Sequence, residues 1–439
     1  MEVAEYKTLF QCGNHNCFEK AHQYLCGLFQ SELSNISSIC EVVVKTGYDQ
    51  IQHFISHAPW DATAVTKQVA LNVQAALSPV SGEQALIIDE YGCKKQGRNS
   101  VGVARQYLGS EGKVDNGQVM VVAVLSKAQY ASIITSRLFL PEEWTNDAKR
   151  MHAAGVPKEA QEFQTKLQIA IALAQQARKD GIIWEFCTAD ALYGHSTDFR
   201  RTMDDLTQYV FDVHSDQRVY LADPKPFLPE RTSERGRTPS RLTTTAFHQT
   251  AAELVAEQPA SAWQTIEYRS GTKGVYRRQA LALMVWTWDG KEQCAVQERV
   301  IASRRLKDPK DIKYSLANDA EKKLSLHRLV VRQMHRYWVE RSIEDGKSEL
   351  GMAQYQVRSW QALEHHLAMT MMALAFCLKQ RIAQKHQRPL LSCADIRDIL
   401  CHLLPSKITG EEDVLTMIQK RHKERAADIQ RWQRLSASG

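Results

Sequence analysis

Residues 84–92 read QALIIDEYG, an apolar run that ends in the carboxylate of Asp89. Two further runs rich in apolar and β-branched residues follow at 118–125 and 131–140. Short runs of this kind are typical of β-strands, and only short connections separate these three. The pattern therefore predicts an antiparallel meander whose first strand ends at Asp89.

A helix and a fourth strand continue the pattern. The spacing of apolar residues over 159–179 predicts a long helix, and the run at 182–187 predicts a strand with Asp190 just past its end. The order of these elements predicts an α/β fold with a mixed sheet and helices on its faces. Later β-like segments predict a small β-rich insertion and then a last core strand, at 265–269, 280–288, 294–302 and 312–317.

The overall composition is that of an ordinary globular protein. The chain has 439 residues, 44% hydrophobic and 24% charged, with a formal net charge of +6, and this length predicts two or three domains. The longest apolar run, 367–378, is too short to span a bilayer and predicts a buried helix. Residues 1–33 lack the pattern of a signal peptide, and the ten cysteines form no CxxC pair. We therefore expect a cytoplasmic protein with reduced thiols and no membrane partner.

Three carboxylates are candidates for chemistry. Asp89 and Asp190 each end a predicted strand, and Glu340 lies in a predicted helix. Carboxylates at strand ends in α/β sheets point into the crevice where such folds bind ligands. An acidic trio suits Mg²⁺, which prefers oxygen ligands, and a pair of such ions stabilises both oxygens of a phosphodiester displacement. The alternative is that each carboxylate is a surface charge or a helix cap.

The segments around these carboxylates are distinctive and occur in a fixed order. They read QHFISHAPWD at 52–61, LIIDEYG at 86–92, SVGVARQY at 100–107, TADALYG at 188–194, RYWVE at 336–340 and LGMAQY at 350–355. Together they resemble the signature blocks of DDE-type bacterial insertion-sequence transposases, which are retroviral-integrase-like DDE superfamily endonucleases. The resemblance extends over most of the chain, from about residue 10 to residue 434.

The resemblance implies a fold and an activity. The fold is a ribonuclease-H-like mixed-sheet core with a β-rich insertion, flanked by helical N- and C-terminal regions. The catalytic residues and metal ligands are Asp89, Asp190 and Glu340, which hold two Mg²⁺ ions, with Mn²⁺ as a substitute. The activity is cleavage and transfer of DNA strands at the terminal inverted repeats of a mobile element. A dimer or larger assembly on paired ends, target DNA as a second partner, and a place on the bacterial nucleoid follow from the same resemblance.

The segment around Glu340 matches one transposase branch with one departure. Arg336 and Lys347 occupy the positions of an Arg and a Lys that contact DNA phosphates in that branch, but Gln333 stands where that branch has Tyr. Glu344 is a rival for the third carboxylate, because it lies one helical turn further on. Alternatively, these charged side chains could simply form i,i+3 and i,i+4 ion pairs on a solvated helix. The residues concerned are Arg336, Glu340, Glu344 and Lys347.

Several basic and aromatic residues are candidates for DNA binding. Lys94, Lys95, Arg98 and Arg105 follow Asp89 closely and could guide the DNA backbone, or could form a solubilising surface. Trp263, at the start of the insertion, could stack on an extruded base, or could be a buried tryptophan of a small β unit.

The domain organisation follows from these patterns. Helices at 35–44 and 48–57 around Gly47 fit a helix-turn-helix, and equally a helical bundle that only packs. Cys12, His15, Cys17 and Cys26 lack the paired short spacings of a zinc site. We expect a helical DNA-binding domain at 1–80, the first part of the core at 81–220, the insertion at 221–310, the last core strand and the Glu-bearing helices at 311–390, and a basic helical region at 391–439.

Two other functions remain compatible with the sequence. One is a domesticated DNA-binding protein that has kept the fold and lost catalysis, although Asp89, Asp190 and Glu340 are all present. The other is a metal-dependent DNA nuclease that cuts without joining.

Overall fold

The N-terminal region is helical, as predicted. The computed structural model describes residues 3–109, 111–230, 239–271 and 274–437. A 3₁₀ helix at Ala4–Phe10 and a two-stranded hairpin, β1 (Gln11–Cys12) and β2 (His15–Asn16), precede four helices. These helices are α1 (Phe18–Gln30), α2 (Ile36–Val42), α3 (Tyr48–Ser56) and α4 (Ala62–Leu77).

The centre of the molecule is a mixed sheet with helices on its faces. Its core elements are β3 (Gln84–Lys94), β4 (Ala104–Leu108), β5 (Lys113–Lys127), β6 (Tyr130–Leu138), α5 (Glu142–Thr145), α6 (Ala148–Ala153), α7 (Lys166–Lys179), β7 (Phe186–Ala189), α8 (Ala191–Gly194), α9 (Thr197–Asp204) and β8 (Gln208–Val213). The strand order β6-β5-β3-β7-β8 has an antiparallel meander followed by two strands parallel to β3. This arrangement confirms the predicted fold class, a mixed α/β sheet like that of ribonuclease H.

The β-rich segments extend this sheet instead of forming a separate one. They comprise β9 (Arg218–Val219), β10 (Gln249–Thr250), α10 (Ala251–Ala256), β11 (Gln264–Gly271), β12 (Gly274–Thr287), β13 (Val296–Arg305) and β14 (Ile312–Ala317). Strand β14 pairs antiparallel with β8, so that β11 to β14 continue a ten-stranded sheet. Residues 312–317 form a strand with the predicted bounds, but its expected place at the end of the core is taken by β8, which pairs parallel with β7, while β14 pairs antiparallel with β8.

Helices complete the chain and cover the sheet. They are α11 (Leu326–His335), α12 (Tyr337–Glu349), α13 (Trp360–Ala383), α14 (Cys393–Leu403) and α15 (Glu411–Ala437). The predicted buried helix at 367–378 is the middle of α13, which packs against α4 and β6. Within the described ranges, no helix has both the length and the apolar character needed to cross a membrane.

The N-terminal helices share their core with the sheet. Trp60 stacks on the ring of His365, with ring centres 3.8 Å apart, and the Tyr24 hydroxyl lies 2.8 Å from Nδ1 of His366. Both histidines belong to α13, which also packs on β6. The N-terminal region is therefore joined to the core through α13.

Glu364, on α13, gives the fold a pH-dependent stability. It lines a cavity of about 410 Å³ between α4, β6, α7 and α13, and its burial raises its pKa from 4.5 to about 7, against the charge of Arg137. The folded chain therefore binds more protons than the unfolded chain between these two pKa values, and stability falls as the pH rises through this window. We expect E364Q to be more stable than the wild type at pH 8, by about 1–3 kcal/mol, and similar to it near pH 4.5.

Thermal unfolding at both pH values checks this prediction. Glu159 lines the same cavity but is exposed, so E159Q is the matched control and should follow the wild type at each pH. An E364Q protein with the same pH dependence as the wild type would contradict the prediction.

Candidate active site

Three aspartates lie level with one another on adjacent strands. The register pairs Ile88 of β3 with Ala189 of β7, and Ala189 with Phe211 of β8. The next residues along these three parallel segments are Asp89, Asp190 and Asp212. Because neighbouring strands lie about 4.8 Å apart, the three carboxylates form one acidic edge.

Asp89 lies inside its strand, not at the end that the sequence predicted. The apolar run stops there, but antiparallel pairing with β5 continues to Lys94, while parallel pairing with β7 ends at Ile88. Burial raises the pKa of Asp89 to about 7; the charge of Arg336 opposes this shift and that of Asp190 adds to it. The repulsion by Asp190 indicates that the two predicted carboxylates are close neighbours.

Asp190 is held by the short helix that follows it. Its carboxylate caps α8 by accepting a hydrogen bond of 2.9 Å from the Leu192 amide. At the other end of α8, a Cβ on Gly194 would lie 2.1 Å from the carbonyl oxygen of Asp212. Only glycine therefore lets α8 pack this closely on β8 and keep Asp190 at the acidic edge.

Asp212 was not found by sequence reasoning. It is buried, and its carboxylate accepts a hydrogen bond of 2.7 Å from the Ser315 hydroxyl. Its other oxygen lies 2.7 Å from Nζ of Lys313, and both partners belong to β14. The available signal was the aromatic and β-branched run before it, which predicts a strand ending near this carboxylate.

Arg336 joins the acidic edge to the helix that bears Glu340. Its side chain lies at the junction of α11 and α12, with Nη1 3.0 Å from Asp89, Nη2 2.5 Å from Glu340 and Nε 3.3 Å from Asp212. The i,i+4 ion pair of Arg336 and Glu340 that the sequence left as an alternative is therefore present. The same guanidinium nevertheless brings Glu340 to Asp89, which a solvated helix would not do.

A groove of about 400 Å³ lies beside this arginine. Asp89, Glu340, Glu344 and Lys347 all line it. Glu344 is turned to Arg341, 3.0 Å away, while Nζ of Lys347 donates to the Gly92 carbonyl at 3.3 Å. Both candidate glutamates thus face the groove, but only Glu340 shares a partner with Asp89.

The donor set suits a hard cation, although the guanidinium of Arg336 now pairs with Asp89 and Glu340. Carboxylate oxygens are the ligands that Mg²⁺ prefers. In the part of the chain that the structure describes, no three His, Cys, Asp or Glu side chains are placed to hold a metal ion together. The four residues of the zinc alternative are included in that statement, although the thiols of Cys12 and Cys17 lie 3.5 Å apart.

The predicted DNA-binding residues near Asp89 differ in their surroundings. Lys94 pairs with Asp115 at 2.9 Å, and Arg98 and Arg105 are exposed. Nζ of Lys95 lies 3.4 Å from the ring centre of Tyr355, and burial lowers its pKa to about 8. Lys95 thus packs against the protein itself, whereas Arg98 and Arg105 face the solvent.

Two residues tie the insertion strands to their surroundings. Trp263 is half-buried, with the guanidinium of Arg304 3.9 Å from its ring centre. Gln333, at the position where the transposase branch has Tyr, is buried and hydrogen-bonds the hydroxyls of Ser303 at 2.6 Å and Ser315 at 2.9 Å. Gln333 therefore connects α11 with β13 and β14.

Two known proteins are similar to this chain. A curated probable transposase for insertion sequence element IS701, from Microchaete diplosiphon, is 31% identical over 221 residues, which are 49% of this chain and 53% of that protein. The chain thus spans about half the length of this relative. A solved cryo-EM structure of the piggyBac transposase synaptic complex with hairpin DNA aligns with 92% of this chain and 72% of its own, with a TM-score of 0.41 and 11% identity.

A family model described as DDE superfamily endonuclease matches residues 8–275. The match includes Asp89 and Asp190 and ends before the segment that contains Arg336 and Glu340. It covers more than half of the 439 residues. The chain therefore belongs to the family of DDE superfamily endonucleases.

Proposed function

We propose that this protein is a DNA transposase, which binds the terminal repeats of an insertion sequence and cuts and joins DNA strands at them. The observation that carries the proposal is that Asp89 and Asp190 each directly follow the last residue pair, Ile88 and Ala189, of the parallel strands β3 and β7, and that Arg336 connects Glu340 to Asp89. Membership of the DDE endonuclease family and the likeness to the IS701 protein support it.

The site residues have distinct roles in this proposal. Asp89, Asp190 and Glu340 hold Mg²⁺, or Mn²⁺ in its place. Two such ions, when bound, supply an activated water and neutralise the leaving oxygen of the phosphodiester. Arg336 holds Asp89 and Glu340 together in this structure, and its guanidinium would have to release them for these carboxylates to hold the ions. Lys347 then meets the DNA phosphates from the wall of the groove.

The surrounding surfaces handle DNA. Arg98 and Arg105 are exposed and attract the phosphate backbone, together with Lys94. Lys95 and Trp263 contribute to DNA binding after they leave their contacts with Tyr355 and Arg304. The N-terminal helices bind the repeats, and two copies of the chain assemble on paired ends. We place the protein in the bacterial cytoplasm, on nucleoid DNA.

Incubation with end-containing DNA and Mg²⁺ tests the proposal. The expected products are nicked ends with a free 3′-hydroxyl and joined strands, identified by sequencing, and both should vanish in D89N. Cleavage without joining would instead indicate a nuclease. Binding of the ends without cleavage, in the presence of Mg²⁺ or Mn²⁺, would indicate a DNA-binding protein that has lost catalysis.

A further inference from the structure

Asp212 is fully engaged by side chains of its own protein. One oxygen accepts the Ser315 hydroxyl, and the other meets the ammonium of Lys313 at 2.7 Å and Nε of Arg336 at 3.3 Å. These contacts leave little room for a further ligand on Asp212. By contrast, Asp89 and Glu340 are each bound by Arg336 through one terminal guanidinium nitrogen.

The nitrogens of the Arg336 guanidinium contact different carboxylates. Nε, near the base of the group, lies 3.3 Å from an oxygen of Asp212, a charge contact without a hydrogen bond, whereas the two terminal nitrogens donate hydrogen bonds to Asp89 and Glu340. A small rotation about the end of the side chain would move the terminal nitrogens while Nε stays beside Asp212. The charge of Arg336 would thereby remain compensated inside the protein, where an unpaired charge is costly.

We propose that Asp212 is a positioning residue that anchors Arg336, so that the arginine can release Asp89 and Glu340 without leaving the site. The inference rests on the proposed function, because it assumes that these two carboxylates bind divalent cations. Lys313 and Ser315, both on β14, orient the anchor. The insertion strands thereby contribute to the active site through Asp212.

Loss of the anchor should weaken cation binding through Arg336. In D212N the arginine loses one of its anionic partners and depends more on Asp89 and Glu340, so it competes harder with an added ion. We expect the dissociation constant for Mn²⁺ to rise about tenfold, as is common when an outer-shell partner of a metal site is lost. Isothermal titration of the full chain with Mn²⁺ alone measures this constant without DNA or turnover.

A double-mutant cycle separates positioning from direct ligation. In the R336Q background there is no guanidinium to anchor, so adding D212N should change Mn²⁺ affinity by less than about twofold. An equal loss in both backgrounds would mean that Asp212 is itself a ligand or acts only by its charge, and would overturn the proposal. Unchanged affinity in D212N would overturn it as well.

The matched control is D319N. Asp319 is also buried and pairs with Arg299, at 2.7 Å, in the same sheet, so D319N removes a comparable ion pair away from the site. Its Mn²⁺ affinity should equal that of the wild type. Two results would overturn the proposed function together with this inference. Either the wild type binds no Mn²⁺, or the D89N variant binds Mn²⁺ as tightly as the wild type. If D89N weakens Mn²⁺ binding but the effects of D212N and R336Q on Mn²⁺ affinity are additive, only this inference is overturned and the proposed function stands.

Discussion

E340A is expected to reduce strand cleavage by about 10³-fold, the size of loss found when one electrostatic group is removed from a transition-state site. Glu340 shares Arg336 with Asp89, and both carboxylates line one groove. Its removal takes away a proposed ligand and leaves the guanidinium to Asp89 and Asp212. The Glu340 side chain is 55% exposed, so the fold itself should be little affected.

E344A is the matched control for this prediction. Glu344 lines the same groove on the same helix, but its carboxylate pairs with Arg341 at 3.0 Å. We expect E344A to retain a measurable part of the activity. Single-turnover cleavage of labelled end DNA with Mg²⁺ compares the two variants. Equal losses, or an active E340A protein, would reverse the assignment of the third carboxylate.

E298A is expected to lower the free energy of unfolding by about 3–5 kcal/mol, because it breaks a buried ion cluster. Glu298, on β13, is fully buried and lies 3.2 Å from Arg200, which is also fully buried, and 3.3 Å from Arg201. The Tyr209 hydroxyl donates to the same carboxylate at 2.7 Å. Without Glu298, the buried charge of Arg200 would lose its anionic partner among the residues that the structure describes.

An exposed ion pair in the same group of strands provides the control for E298A. Glu267 pairs with Arg277 between β11 and β12, and their side chains are 57% and 50% exposed. E267A should therefore change the free energy of unfolding by less than about 1 kcal/mol. Urea unfolding followed by fluorescence measures both variants. A loss below about 1 kcal/mol in E298A would contradict the role given to the cluster.

Local patterns located two of the three carboxylates of the acidic edge, Asp89 and Asp190, but neither Asp212 nor the counter-ion Arg336. Asp89 and Asp190 each follow an apolar strand segment, and parallel strands bring such residues level. The contact of Arg336 with Asp89 joins residues 247 positions apart, and no periodicity in the sequence records it. The contact of Lys95 with Tyr355 could not be predicted from local patterns either, because the two residues are 260 positions apart in the sequence.

Strand β8 shows how one missed element hides a site residue. Its buried part is short, and it lies between a helix and a loop, so its β-branched and aromatic run was passed over. Because no strand was predicted at the position of β8, residues 312–317 were assigned to the end of the core. Asp212, which lies on β8, was therefore overlooked. The order of strands in a sheet depends on pairing between distant segments, which local propensity does not encode.

The continuous pairing of β14 with β8 has a mechanical consequence. Four registered residue pairs, including Ser315 with Asp212, connect the insertion strands to the core strand. If these strands moved outward as a separate unit, the backbone hydrogen bonds between β14 and β8 would have to break. One of these registered pairs contains Asp212, a carboxylate of the acidic edge. Strands β11 to β14 and the core strands therefore form one continuous sheet that resists bending where β14 meets β8.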